Sequence, residues 1–401
     1  MPTRWTSADV KGIRRVAGYE RIPYLILFRE SAGYKDTYAG PIDQVVLKAH
    51  LLKPTDEPAD TVVILMHPIG GGEYLPMTVA LAKAGCHVIY CQSRYPNNDS
   101  ALIMEKVALD MAACVRDAKE RLGYSNVVLA GWSGGAALSL FYQSQAESPS
   151  VVATPAGEPP DLMAAELIPV DGMLLLAAHI GRSYTLTQWL DPSIVDEVDP
   201  DYRDAELNLY DRNNPHQPPY DAAFIEQYRG AQRLRSQRIS AWVLSRLEAF
   251  RRAGEPLREQ GFVVHGTMAD PKWLDPTMDP NGRKPRWCFL GDPEVVNMSP
   301  IGLARFCTLR SWLSQWSDEY SNADGVRCAP KVTVPALVIG NGADDACTPE
   351  DTEALFNALG SQDKTRTTID DANHYYFGQP ELLAQSVDHC MAWLSDKGFV
   401  Q

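Results

Sequence analysis

Three positions far apart in the chain carry side chains whose chemistry fits together: Ser133, the adjacent pair Asp344 and Asp345, and His374. Ser133 lies in Gly131-Trp132-Ser133-Gly134-Gly135, a Gly-x-Ser-x-Gly pattern between the apolar run Val127 to Ala130 and a run of small residues that continues to Leu138. That arrangement predicts a buried strand that turns into a helix within one or two residues, with Ser133 on the corner. A serine there takes a strained backbone conformation, and bulk two positions either side would collide, so Gly131 and Gly135 leave the room. A serine hydroxyl is a poor nucleophile near neutral pH until a base removes its proton, and that base needs a carboxylate to orient it. By itself the five-residue pattern also fits an ordinary small-residue turn. The decision falls to the elements that would hold the other two groups.

Those elements recur in a regular cadence. Val45 to Leu52 reads as a strand, Thr61 to Met66 as a continuous apolar strand, Leu75 to Ala84 as a helix and His87 to Cys91 as another strand. A long amphipathic segment, Ala101 to Leu122, carries Ile103, Val107, Met111 and Cys114 at helical spacing and leads into the strand that ends at Ser133. After a helix from Ser133 to Gln145 and a Pro- and Ser-rich connection comes one more buried strand, Gly172 to Ala178. Strands alternating with helices predict an α/β fold with a mostly parallel central sheet. From 336 the cadence resumes: strand Ala336 to Gly340, helix Glu350 to Leu359, strand Arg366 to Ile369 and a closing helix Gln379 to Leu394. Asp344 and Asp345 follow the first of these strands, and His374 follows the second. In a parallel sheet the loops at the strand ends open on one edge, where ligands bind, so all three groups are expected on the same rim.

The intervening stretch breaks the pattern. Residues 182–331 show loops rich in Pro, Asp, Asn and Tyr around a long helix, about Tyr220 to Ala253, and a shorter one, about Ile301 to Trp316, with no convincing alternation of strand and helix. We expect an N-terminal extension over 1–44 with one strand at Tyr24 to Phe28, a core in two pieces, 45–181 and 332–401, and a mostly helical cap or lid insertion between them. The extension either wraps the core or helps a homodimer form. Along the long helix Phe224, Tyr228, Ala231, Leu234, Ile239, Trp242, Val243, Leu247 and Phe250 form a drifting apolar stripe. Its arginines, Arg229, Arg233, Arg235, Arg238, Arg246, Arg251 and Arg252, are expected on a solvated face.

Composition excludes several classes of function. The 401 residues are 45% hydrophobic, enough for a substantial core. A net charge of −14 opposes binding to nucleic acid. No run reaches the length of a membrane span, and Met1 to Arg15 lacks a hydrophobic segment, so a cytoplasmic protein without membrane attachment is expected. The eight cysteines form no Cys-x-x-Cys and read as reduced, buried thiols. Gly70 to Gly72 invites a phosphate-loop reading, but the Gly-Lys-Ser/Thr that such a loop needs is missing and the Gly-x-Gly-x-x-Gly spacing fails. The histidines show no paired spacing of the His-Glu-x-x-His kind, so no metal is expected.

With these motifs in order, the chain resembles the α/β-hydrolase fold serine hydrolases of the carboxylesterase and lipase kind. The resemblance implies Ser133 as nucleophile, His374 as base and an acid between them in sequence. It favours Asp345, four residues before the helix-opening Pro349, over Asp344. An oxyanion hole is implied, with the backbone N–H of Gly134 as one donor and that of Ile69 as the other, Gly70 being the alternative; Pro68 has no N–H to give. His67 resembles the His of the family's His-Gly motif, generally structural, although Pro68 stands where the glycine usually is. Trp132 and His179 are expected to line the substrate pocket. The implied reaction is hydrolysis of a carboxylic ester through an acyl-serine, with no cofactor; the wide insertion and its aromatic residues suggest a small-molecule substrate with a medium-sized, apolar or aromatic acyl or alcohol group. Two alternatives stand beside it: a carbon-carbon bond hydrolase with the same triad, and a non-catalytic binding protein on this scaffold. Epoxide hydrolysis and haloalkane dehalogenation in this family use an aspartate at the corner, so Ser133 argues against both.

Overall fold

The computed structural model describes residues 18–31, 33–35, 40–55, 58–70 and 75–400. The start of the expected N-terminal extension, and Gly71 and Gly72 of the glycine run, lie outside the described residues.

Eight strands form one sheet: β1 (Tyr19–Arg29), β2 (Gln44–Pro54), β3 (Thr61–Leu65), β4 (His87–Cys91), β5 (Asn126–Trp132), β6 (Gly172–Leu176), β9 (Ala336–Asn341) and β10 (Lys364–Ile369), in the spatial order β1-β2-β4-β3-β5-β6-β9-β10. From β4 to β10 every pairing is parallel, whereas β1 pairs with β2 and β2 with β4 in antiparallel fashion. The sequence accounts for this order. Val62-Val63-Ile64-Leu65 and His87 to Cys91 are buried throughout, the mark of strands covered on both faces. At the outer edge β1 carries Pro23, which removes a ladder donor and suits an edge strand.

Helices cover both faces. On one side α2 (Met104–Arg116) and α3 (Gly134–Glu147) pack Met111, Cys114, Leu138 and Phe141 onto the sheet. On the other, α1 (Pro76–Lys83) and the closing helix α7 (Pro380–Asp396) contribute Met77, Leu81, Val387 and Leu394. A further helix, α6 (Pro349–Ala358), connects β9 to β10.

Between β6 and β9 the chain leaves the sheet. It forms α4 (Arg182–Trp189), the long α5 (Ala222–Arg252) and a small antiparallel ribbon, β7 (Gly261–Val263) with β8 (Phe306–Thr308). Asp221 starts α5 by accepting a hydrogen bond from the Phe224 N–H, which satisfies one of the donors that a helix N-terminus leaves open. Ile239, Val243, Leu247 and Phe250 of α5 meet Trp312 and Trp316 in a core separate from the two beside the sheet.

Two expectations for this insertion need correction. The segment 301–316 is no continuous helix: Phe306–Thr308 is strand, and the helical turns begin only at Leu309, where Thr308 and Ser311 cap each other. Apolar spacing alone could not see that Phe262 and Cys307 pair across a ribbon. Nor are the arginines of α5 all on a solvated face. Arg235 is buried in a double hydrogen bond to Glu197 (2.9 and 2.7 Å), and Arg229 bonds Asp270 (2.7 Å), so this row anchors neighbouring loops to the helix.

Candidate active site

At the end of β5 the chain turns straight into α3, and Ser133 sits at the turn with φ 51° and ψ −120°. A non-glycine residue with positive φ is strained, and here the surroundings enforce it. A Cβ on Gly131 would come within 2.4 Å of the Ala136 Cα, and one on Gly135 within 2.7 Å of the Met66 carbonyl oxygen. Both glycines are therefore required by close backbone approach, as the sequence pattern predicts. The Ser133 N–H is held by the Leu176 carbonyl of β6 (3.1 Å), so neighbouring strands fix the corner.

His374 lies in the loop after β10 and is buried. Its Nδ1 meets the Oδ2 of Asp344 at 2.8 Å. This corrects the expectation that Asp345 would be the partner. The other oxygen of Asp344, Oδ1, accepts the backbone N–H groups of Ala346 and Cys347, each at 2.8 Å, which aims Oδ2 at the ring. Asp345, half-buried, offers its backbone carbonyl to the Trp273 indole N–H instead (2.9 Å). Spacing to Pro349 cannot tell adjacent side chains apart when the turn sends them in different directions.

The charge balance at this pair follows from the geometry. Burial disfavours the imidazolium of His374, but the Asp344 carboxylate outweighs that and the net shift is upward. Asp345 is pushed up to about 6, by burial first and then by the neighbouring Asp344 charge.

Loops from both halves of the core and from the insertion line a cavity of about 230 Å³. Ser133 and His374 share its wall with the expected pocket residues Trp132 and His179, and with Ile69 and Gly70. Trp132 packs edge-on against His374, ring centroids 6.2 Å apart. The lining also takes apolar side chains from the insertion: Trp189, Phe289, Leu290, Ile301 and Leu303, with the Phe289 ring centroid 6.4 Å from that of His374. The lining includes a polar group as well: buried Arg182 bonds Asp99 and, at 2.9 Å, Gln315 while stacking on Trp316.

Several groups here escaped sequence reasoning. Cys347 places its Sγ 3.9 Å from the Ser133 Oγ, and burial raises its thiol pKa well above the usual value. Asp344, Cys347 and His374 are the one group of three metal-capable side chains among the described residues with ligand atoms within 4.8 Å of one another, but Asp344 and His374 already bind each other. The insertion also grips the loop of Asp344: the Asn281 side-chain amide donates to the Asp344 carbonyl (2.8 Å), the Gly282 N–H to the Gly342 carbonyl (2.9 Å), and Lys272 reaches Glu350 at the start of the next helix (2.9 Å). No local motif marks residues 272–282 for that task.

In the loop after β3, the Ile69 N–H faces the Nδ1 of His67 at 3.4 Å, and the Gly70 N–H is bound to the His67 carbonyl at 2.9 Å. Gly134 is the first residue of α3, so its N–H has no acceptor within the helix.

An eight-stranded, mostly parallel sheet with helices on both faces, a strained serine after β5 and a histidine after the last strand define the α/β-hydrolase fold. Among solved structures this chain is similar to DcsB, described in complex with a substrate analogue (TM-score 0.51, 11% identity, 94% of this chain and 99% of that one). It also aligns with a thermostable carboxyl esterase from Bacillus coagulans in complex with glycerol (TM-score 0.49, 11% identity, 95% and 99%) and with Est1E from Butyrivibrio proteoclasticus (TM-score 0.43, 13% identity, 94% and 98%). At such identities the likeness shows the fold alone. No protein-family model and no curated protein sequence matches the chain. No helix among the described residues is long and apolar enough to cross a membrane.

Proposed function

We propose that this protein is a serine hydrolase that cleaves a carboxylic ester, with Ser133 as nucleophile, His374 as base and Asp344, in place of Asp345, as the acid. The observation that carries the reading is the pairing of a sterically enforced serine corner with a buried His374–Asp344 hydrogen bond on the wall of one cavity. Asp344 holds the proton on Nδ1 and leaves Nε2 to accept the Ser133 proton as Oγ attacks the ester carbonyl carbon. The carbon–alkoxide bond then breaks, the alcohol leaves with the proton from His374, and water, deprotonated by the same ring, releases the acid from the acyl-serine. The reaction needs no cofactor.

The aromatic and aliphatic wall contributed by the insertion supports an apolar or aromatic acyl or alcohol group, and on this reading 182–331 is the cap of the site. The test is hydrolysis of p-nitrophenyl acetate, butyrate and benzoate by the wild type and Ser133→Ala. Activity is expected from the first and none above background from the second. Turnover of a vinylogous 1,5-diketone with no ester cleavage would move the assignment to carbon-carbon bond hydrolysis.

A further inference from the structure

Two histidines outside the proposed triad converge on the residue after the nucleophile. A Cβ on Gly134 would lie 3.0 Å from the Nε2 of His67 and 3.0 Å from the Nε2 of His179, so the two rings close over this glycine from the loops after β3 and β6. Both line the same cavity as Ser133. We propose that His67 and His179 are catalytic residues of the ester hydrolysis, each presenting a neutral imidazole Nε2–H to the oxyanion that forms when Ser133 attacks the carbonyl. This inference rests on the serine-hydrolase reading and supplies the donors that reading needs.

At His67 a hydrogen bond sets the tautomer. Nδ1 of His67 faces the Ile69 N–H, which makes it an acceptor and puts the ring proton on Nε2. Nδ1 of His179 is sealed from solvent and pairs with no other residue, while its Nε2 lies against Gly134 on the cavity side, where a proton on it would face a bound carbonyl. The same contacts turn the backbone of the β3 loop away from the usual task. Gly70 N–H is bound to the His67 carbonyl, and Ile69 N–H leans on the His67 ring. Part of the work done elsewhere by backbone amides therefore passes to side chains, next to the N–H of Gly134.

Neutrality is what makes such rings useful. Burial first, and then the charge of Arg182, lowers both pKa values to about 3, with the neighbouring histidines adding to the effect. At neutral pH each ring is an uncharged donor that polarises without having to lose its proton, and neither competes with His374 as a base. The proposal also explains why position 134 is glycine: any side chain there would press on both Nε2 atoms.

The test compares His67→Ala, His179→Ala and the corresponding Gln variants with the wild type, using p-nitrophenyl butyrate, a trifluoromethyl ketone as transition-state analogue and a fluorophosphonate that labels the serine. Each Ala variant is expected to lose about 10²-fold in kcat with KM within about threefold, and to bind the ketone weaker by a similar factor. Gln, which can return an amide N–H near the same place, is expected to recover at least tenfold of the loss. If wild type and Ala variants hydrolyse and bind the ketone alike, the two histidines are structural and the proposal fails while the serine reading stands. It fails in the same way if kcat falls but ketone affinity holds and Gln restores nothing. A wild type that neither hydrolyses the ester nor takes the label would instead remove the serine reading, and this inference with it.

Discussion

The Ser133 corner and the Asp344 loop reach the same cavity by different means. The corner is made by its own sequence: Gly131 and Gly135 admit the close approach of Ala136 and Met66, and the adjacent strand β6 supplies the bond that holds Ser133. The Asp344 loop leans on residues of the insertion sixty or more positions away. Trp273, Asn281 and Gly282 of the insertion hold the carbonyls of Asp345, Asp344 and Gly342, while Tyr376 and Asn373 brace Asn341 from the other side. A site can thus combine a part that folds from local rules with a part whose aim depends on a separately packed segment. Changes in the insertion should act on the acid and spare the serine.

Substitutions can break that contrast, the largest effect first. Ser133→Ala should lower kcat by about 10⁶-fold, measured with p-nitrophenyl butyrate. Asp344→Asn should cost about 10⁴-fold, because His374 would lose the carboxylate that fixes its tautomer, while Asp345→Asn should stay within about threefold. Equal losses at the two aspartates would undo the assignment of the acid. At the corner, Gly135→Ala forces a methyl against the Met66 carbonyl and should lower stability by about 1–3 kcal/mol, read by thermal unfolding. In the insertion, Asn281→Ala and Trp273→Phe each remove one hydrogen bond to the Asp344 loop. A loss of about 0.5–1.5 kcal/mol in transition-state stabilisation, or roughly 2- to 12-fold in kcat, is expected for each, with fluorophosphonate labelling of Ser133 slowed by no more than the same factor.

The pH profile separates the histidines. His374 must be neutral to accept a proton, and its raised pKa means that kcat/KM falls as pH drops through a midpoint above 6.5. Asp344→Asn removes the charge that lifts it and should move the limb downward. His67 and His179, held near 3, should add no inflection between pH 5 and 9.

What could be read from the chain follows the same division. Strands such as Thr61–Leu65 and Asn126–Trp132 are continuous apolar runs bounded by turns, so the sheet and the serine corner are legible from local pattern. Loops after β9 and β10 place an aspartate and His374 on the same rim by topology alone. The choice between Asp344 and Asp345 was not legible, because it depends on two backbone N–H groups of the turn and on contacts from 273 and 281. Arg235 looked like solvated charge because its partner, Glu197, stands in a loop 38 residues away. The histidines over Gly134 were visible as residues, but their convergence belongs to the packing of two loops.

The central claim, an activated serine at position 133, is tested most directly by treating the protein with a fluorophosphonate and locating the adduct by peptide mass spectrometry. The account predicts a single phosphonylation on Ser133, abolished in Ser133→Ala and strongly slowed in Asp344→Asn. An unchanged intact mass for the folded wild type, or an adduct on another residue, would contradict it.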